Sequence, residues 1–181
     1  MVRPDGRRFL ITRRIPEGDP MTHPVQKLIL REAQLLDEGR LDDWLTLYTE
    51  DASYWVPIDE NADPLKDSSV IYDNRLRLAM RVEQIMRQNR VAQNPGSNTL
   101  RMVSNIDIED VDANTAMASF ALQLTEVRSG DWRQQGLGET RLFPGRCKLV
   151  CKKVGNDWRI QHKAIVLLHR KQPIVGLSFI I

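Results

Sequence analysis

The chain has 181 residues, a net charge of +2 and 28% charged residues. That length makes one domain whose core needs no covalent staples, and that charge points to neither nucleic acid nor a membrane surface. No apolar run approaches the ~20 residues that span a bilayer, and two cysteines give no disulfide framework, so a reducing cytoplasm is the expected compartment.

Residues 1–20 read as a basic N-terminal arm, with Arg3, Arg7, Arg8, Arg13 and Arg14 set among Pro4, Gly6, Pro16, Gly18 and Pro20. Arg7-Arg8-Phe9-Leu10 superficially matches a twin-arginine export signal, but the apolar region that such a signal needs does not follow. Met21 is an alternative start. Residues 21–181 form the single domain.

Val25, Leu28, Ile29, Ala33 and Leu36 fall on one face of a helix from Pro24 to Leu36. Pro24 suits the first turn, Thr22 or His23 the cap, and Gly39 the stop. Leu41, Trp44, Leu45 and Tyr48 carry the face through a second short helix. A strand over Ala52–Val56 ends at Pro57, an acidic loop with Pro64 follows, and Val70–Tyr72 make a short strand. Asp73 and Asn74 are plausible caps of a third helix. Its face is Leu78, Val82, Ile85 and Met86, with Arg77, Arg81, Gln84 and Gln88 opposite.

Asn94-Pro95-Gly96-Ser97-Asn98 is a loop by its turn chemistry. Strands are expected over Leu100–Val111, Ala116–Leu124, Glu139–Lys152 and Trp158–Leu168, with Gly145 at a bulge or sharp bend. Strict alternation puts Trp158, Ile160, His162, Ala164, Val166 and Leu168 on the core or cavity face. Helices first and hairpin-connected strands after is the α+β order, with the helices on one face of an antiparallel sheet.

Candidates for chemistry are sparse. Cys147 and Cys151 sit four apart on a strand, about 13 Å along it, too far to bond or to clasp a metal together. They read as small buried apolar residues. His23, His162 and His169 are dispersed, and an iron triad needs two histidines and a carboxylate that converge. Asp107, Glu109, Asp110 and Asp112 lack the spacing of a calcium loop and read as a solvated edge and turn. Gly136-Leu137-Gly138 has no phosphate-loop lysine and reads as a loop. Helix 3 carries Arg75, Arg77, Arg81, Arg87 and Arg90, without the interleaved aromatics of a nucleic-acid site.

The stretch Arg31-Glu32 to Pro57-Ile58, with Tyr54-Trp55-Val56-Pro57, resembles the small (β) subunit of the aromatic-ring-hydroxylating dioxygenases. So do Tyr72-Asp73-Asn74-Arg75, Arg101-Met102-Val103-Ser104-Asn105, Asp157-Trp158-Arg159-Ile160 and Ile165-Val166-Leu167-Leu168, in the family's order. The likeness covers about Val25 to Ile181 and leaves the arm outside.

That resemblance implies an α+β cone: a curved antiparallel sheet closed by N-terminal helices, of the nuclear-transport-factor-like or cystatin-like type. It implies a structural chain with no catalytic residue, metal ligand or cofactor of its own. The partner α subunit is expected to carry a Rieske 2Fe-2S cluster and mononuclear iron, to take electrons from a ferredoxin or reductase, and to convert an arene and O2 to a cis-dihydrodiol. Assembly as α3β3, or as a β trimer, is expected. The apolar segment Pro173–Ile181 is expected at the subunit contacts, with Trp55, Arg75, Arg101 and Phe179 as interface candidates. The arene itself is not legible here.

Two rivals use the same cone. One is a stand-alone isomerase or dehydratase with an internal acid–base pair, His162 with Asp73, and Tyr54 or Tyr72 as electrophile. The other is a small-ligand-binding module.

Overall fold

In the computed structural model the chain runs α1 (Pro24–Asp37), α2 (Leu41–Thr46), β1 (Tyr48–Pro57), β2 (Ser69–Asn74), α3 (Arg75–Arg87), β3 (Ser97–Asp112), β4 (Thr115–Arg128), β5 (Thr140–Val154) and β6 (Asp157–Leu167). The structure describes residues 22–87, 96–128, 139–174, 177 and 179–181. The basic arm, Gln88, Arg90, Asn94-Pro95 and Gly136-Leu137-Gly138 lie outside the described residues.

Pro24 opens α1, and the His23 ring caps it, Nδ1 accepting from the Val25 N–H at 3.1 Å. Gly39 closes α1 at φ +68°, a left-handed geometry that favours glycine. The Asn74 carboxamide oxygen caps α3 by accepting from the Arg77 N–H. The neighbouring candidate, Asp73, is instead buried and ion-paired with Arg81 at 2.7 Å.

All six strands join one sheet in the order β2-β1-β6-β5-β4-β3. Four of its pairings are antiparallel, but β1 and β6 run parallel. An all-antiparallel sheet was expected. The first and last strands meet in its middle because the helices carry the chain back across one face, where α1 touches β3 and β6 and α3 touches β1. The core lies between that face and the helices, with Ile29, Leu35, Trp44, Tyr54, Leu78, Leu124, Leu149 and Ile165 fully buried.

Strand β6 departs from strict alternation. Cys151 pairs with Ile160, yet the next pair is Val150 with His162, so Gln161 is an extra residue in a bulge. Ile160 faces the core, and beyond the bulge Lys163, Ile165 and Leu167 do so too. His162, Ala164, Val166 and Leu168 therefore belong to the other face, the reverse of the reading by alternation. Gly145, expected at a bulge or bend, stays in unbroken register with Leu122 and Leu167. It is needed for close approach, since a Cβ there would sit 3.1 Å from the Val166 carbonyl oxygen.

The apolar tail folds back onto the same core. Ile180 and Ile181 are buried, and Ile174, Leu177 and Phe179 pack against the core. The Phe179 ring meets Phe143 edge-on at 5.4 Å. The Tyr54 hydroxyl donates to the Ile181 carbonyl oxygen.

Candidate functional site

Two places combine polar chemistry with a shaped environment: one inside the core, one on the sheet's open face.

The inner one is built around Glu32. It occupies the apolar stripe of α1, between Leu28 and Ile29 on one side and Leu35 and Leu36 on the other. Its Oε1 accepts from Lys163 Nζ at 2.7 Å, from the Tyr48 hydroxyl at 2.6 Å and from Trp44 Nε1 at 3.3 Å. The Glu32 and Lys163 side chains are each only 3% exposed. A buried charge is tolerated where it is paired and its remaining bonds are satisfied, and both conditions hold here. Lys163 also lies 5.6 Å from the Tyr54 ring centre, within cation–π range. Trp44, Tyr48 and Tyr54 pack tilted or edge-on at 4.9 to 6.5 Å.

Burial, reinforced by the Glu32 carboxylate, pushes both tyrosine hydroxyls well above their usual titration. They stay protonated donors. With three donors already on one oxygen, the cluster is built to hold α1 against β1 and β6.

A second cluster ties α1 to β3. Asp37 accepts from the Arg101 backbone N–H at 2.8 Å and from its guanidinium, and the same guanidinium donates to the Ile180 carbonyl oxygen. The Arg101 side chain is 3% exposed.

The outer place is a cavity of about 600 Å³ over the open face of the sheet. Its floor includes Trp55, Tyr72, Met117 and Val150. The Trp55 indole N–H donates to Ser69 Oγ at 2.8 Å, and Ser53 Oγ lies 2.8 Å from His162 Nδ1. Asp51, next to this pair, takes hydrogen bonds from Thr49 and Gln161 that hold its carboxyl below the usual range.

The acid–base constellation of the stand-alone enzyme reading is not assembled. His162 lies on the open face and Asp73 on the core face, where Arg81 holds it. Tyr54 is in the core and Tyr72 on the open face. Among the described residues no group of three or more His, Cys, Asp and Glu side chains could hold a metal ion. His23 contacts Asp110, His162 contacts Ser53, and His169 lies against Phe143, three separate neighbourhoods. Cys147 and Cys151 line the core, and burial pushes both thiols up to about 12. These donors do not fit an iron centre. Among the described residues no helix is long and apolar enough to cross a membrane.

Of the interface candidates, Trp55 lies in the open-face cavity, Arg101 and Phe179 are committed to the chain's own core, and Arg75 opens α3 beside exposed Leu76 and Met80. The Arg75 Nε is buried without a hydrogen-bond partner among the described residues. Glu32 and Lys163 escaped the sequence reading. Glu32 stands at the helical spacing of its apolar stripe, and that was the available signal.

A sequence model of the ring hydroxylating beta subunit family matches residues 31–172. The chain belongs to that family. Among its relatives, the small oxygenase component of the p-cumate 2,3-dioxygenase system of Pseudomonas putida is 36% identical over 138 residues, 69% of this β subunit and 77% of the relative. The benzoate 1,2-dioxygenase β subunit of Acinetobacter baylyi is 32% identical over 94 residues, 49% of this chain and 56% of that one, so that alignment takes in little more than half of the relative.

Among solved structures, the benzoate 1,2-dioxygenase β subunit of Burkholderia mallei superposes with a TM-score of 0.65 at 23% identity, over 86% of this chain and 95% of the other. An NTF2-like protein with a cystatin-like fold from Novosphingobium aromaticivorans gives 0.53 at 18% identity, over 80% of each. The cone expected of the β subunit is therefore its fold.

Proposed function

We propose that this chain is the structural, non-catalytic β subunit of a multicomponent oxygenase that dihydroxylates an aromatic compound with O2 to a cis-dihydrodiol. The observation that carries this reading is the family match, which runs from α1 through β6. The buried Glu32–Lys163 pair supports it, since it fastens helix to sheet and offers substrate no open catalytic group.

In this reading the Rieske cluster and mononuclear iron belong to a partner α subunit, and the complex is a cytoplasmic α3β3 hexamer fed by a ferredoxin or reductase. The α3 surface at Arg75, Leu76 and Met80 is the contact assigned to the α subunit, because two exposed apolar side chains one turn apart adjoin a buried guanidinium N–H that has no partner among the described residues. Arg101 and Phe179 contribute by holding the tail on the core. Relatives named for p-cumate and benzoate make carboxylated arenes the first substrates to assay.

The test is co-expression with an α chain from an adjacent reading frame bearing C-x-H…C-x-x-H. The expected result is a mixed complex in light scattering that forms a dihydrodiol, while the β chain alone is colourless and inactive. Stoichiometric iron in the isolated β chain, lost on His162→Ala, would overturn the reading.

A further inference from the structure

We propose that a third hollow, between the first turns of α1 and the start of β6, is a binding site for an aromatic carboxylate. It has a volume of about 410 Å³, and the strand offset creates it. The first β1–β6 pair is Tyr48 with Ile160, and the Ile160 N–H donates to the Leu47 carbonyl oxygen. Asp157, Trp158 and Arg159 precede that pair, so among the described residues no strand flanks them on the β1 side. Helix α1 spans the gap and leaves the hollow beneath it.

The wall of the hollow is apolar. Leu28 of α1 is 7% exposed, and Leu47 is half-buried. The half-buried Trp158 packs against the core. The His23 ring lies against the Trp158 indole with centres 6.3 Å apart, and His23 is itself fixed by capping α1 and by Asp110. The indole is therefore held in place as a face for a planar ring, which it meets by offset stacking or edge contact.

The rim is cationic. Lys27 and Arg31 stand four apart on α1, where like charges repel, and Arg159 joins them in the lining. All three are half-buried. Lys153 stands opposite Trp158 in the β5–β6 ladder and adds to the field as a cross-strand neighbour. Arg31 donates to the Gln34 side-chain oxygen at 3.1 Å, but among the described residues none of these four cations is paired with a carboxylate. Against the three cations of the lining stands one carboxylate, Asp157, which is exposed. Partly desolvated cations without counter-charges are what a bound anion relieves.

One molecule answers both halves of the hollow. An inorganic anion would leave the indole and the leucines facing water, and a neutral arene would leave the cations unmatched. A single ring with a carboxylate serves the wall with one end and the rim with the other, as in small-molecule sites that set a few polar groups in an apolar lining. An arginine fork takes both oxygens of a carboxylate at once.

The experiment titrates the full chain with benzoate by isothermal calorimetry at fixed ionic strength, beside benzyl alcohol, acetate and inorganic phosphate. No α subunit is present, so the result is independent of the assignment as a β subunit, which co-expression tests. Benzoate is expected to saturate one site and to bind at least about ten-fold tighter than the other three. Lys27→Gln with Arg31→Gln should erase the preference for benzoate over benzyl alcohol. Trp158→Leu should weaken benzoate about ten-fold, and Trp158→Phe should restore it, a rescue that a general loss of folding would not show. The absence of saturable benzoate binding would overturn the proposal. So would phosphate binding as tight as that of benzoate, or benzoate binding indifferent to these substitutions.

Discussion

Replacing Lys163 by Met removes one partner of the Glu32 pair and leaves its length behind. The carboxylate keeps the Tyr48 hydroxyl and the Trp44 indole N–H but loses its countercharge in a site that is almost fully closed to water. Breaking a buried ion pair from one side costs about 3–5 kcal/mol, chiefly because an uncompensated charge stays buried. With a urea m-value near 2 kcal/mol/M for a domain of this size, the denaturation midpoint should fall by roughly 1.5–2.5 M. Glu32→Gln with Lys163→Met removes both charges and retains an oxygen for Tyr48 and Trp44. It should be less damaging than Lys163→Met alone, with a coupling of about 2 kcal/mol or more. The assay is equilibrium urea unfolding followed by tryptophan fluorescence. A Lys163→Met midpoint within about 0.3 M of the parent, or a double variant equal to the sum of the singles, would refute the reasoning.

Three further outcomes follow from the geometry. Ile160→Ala should cost about 2–5 kcal/mol through a core cavity, whereas His162→Ala should stay within about 0.5 kcal/mol; the opposite ranking in urea titrations would mean that Gln161 is not bulged. Gly145→Ala should destabilise by about 1–3 kcal/mol, because its new methyl meets the Val166 carbonyl oxygen at 3.1 Å, and an unmoved Tm would show that β5 and β6 part easily. Cys147 and Cys151 titrate near 9 when unfolded and at about 12 when folded. Their stabilising effect is therefore complete below pH 9 and lost as pH rises toward 12, so Cys147→Ala with Cys151→Ala should flatten the alkaline decline in urea midpoint, and an unchanged slope would exclude the thiols as its source.

The helices and strands were legible because each carries its own period. The α1 stripe, the Asn74 cap and the alternation of Ala116, Ala118, Phe120, Leu122 and Leu124 are local patterns that burial then satisfied. The errors share a different cause. One inserted residue, Gln161, turns every later position of β6 over, and alternation counted along the strand cannot register an insertion defined by the neighbouring strand. Glu32 and Lys163 lie 131 positions apart, so neither could be recognised as half of a pair by its own surroundings. Asp73 looked like a cap because its partner, Arg81, is eight residues away, beyond the reach of a capping pattern.

The meeting of β1 and β6 in the middle of the sheet sets an order of events in folding. Strands β3, β4, β5 and β6 each pair with their neighbour in sequence, so they close short loops and lose little chain entropy. Contacts between β1 and β6, such as Ser53 with His162, span 109 positions and repay their ordering cost only late. During synthesis β1 and β2 have no further strand to join until β6 has emerged, and until then the β6-facing edge of β1 stays uncovered, while α1 can already pack on β3. Pulse-labelled hydrogen exchange should therefore find the β4 and β5 amides protected before those of β1. Conditions that slow the last third of the chain would act first on solubility, through the waiting N-terminal segment.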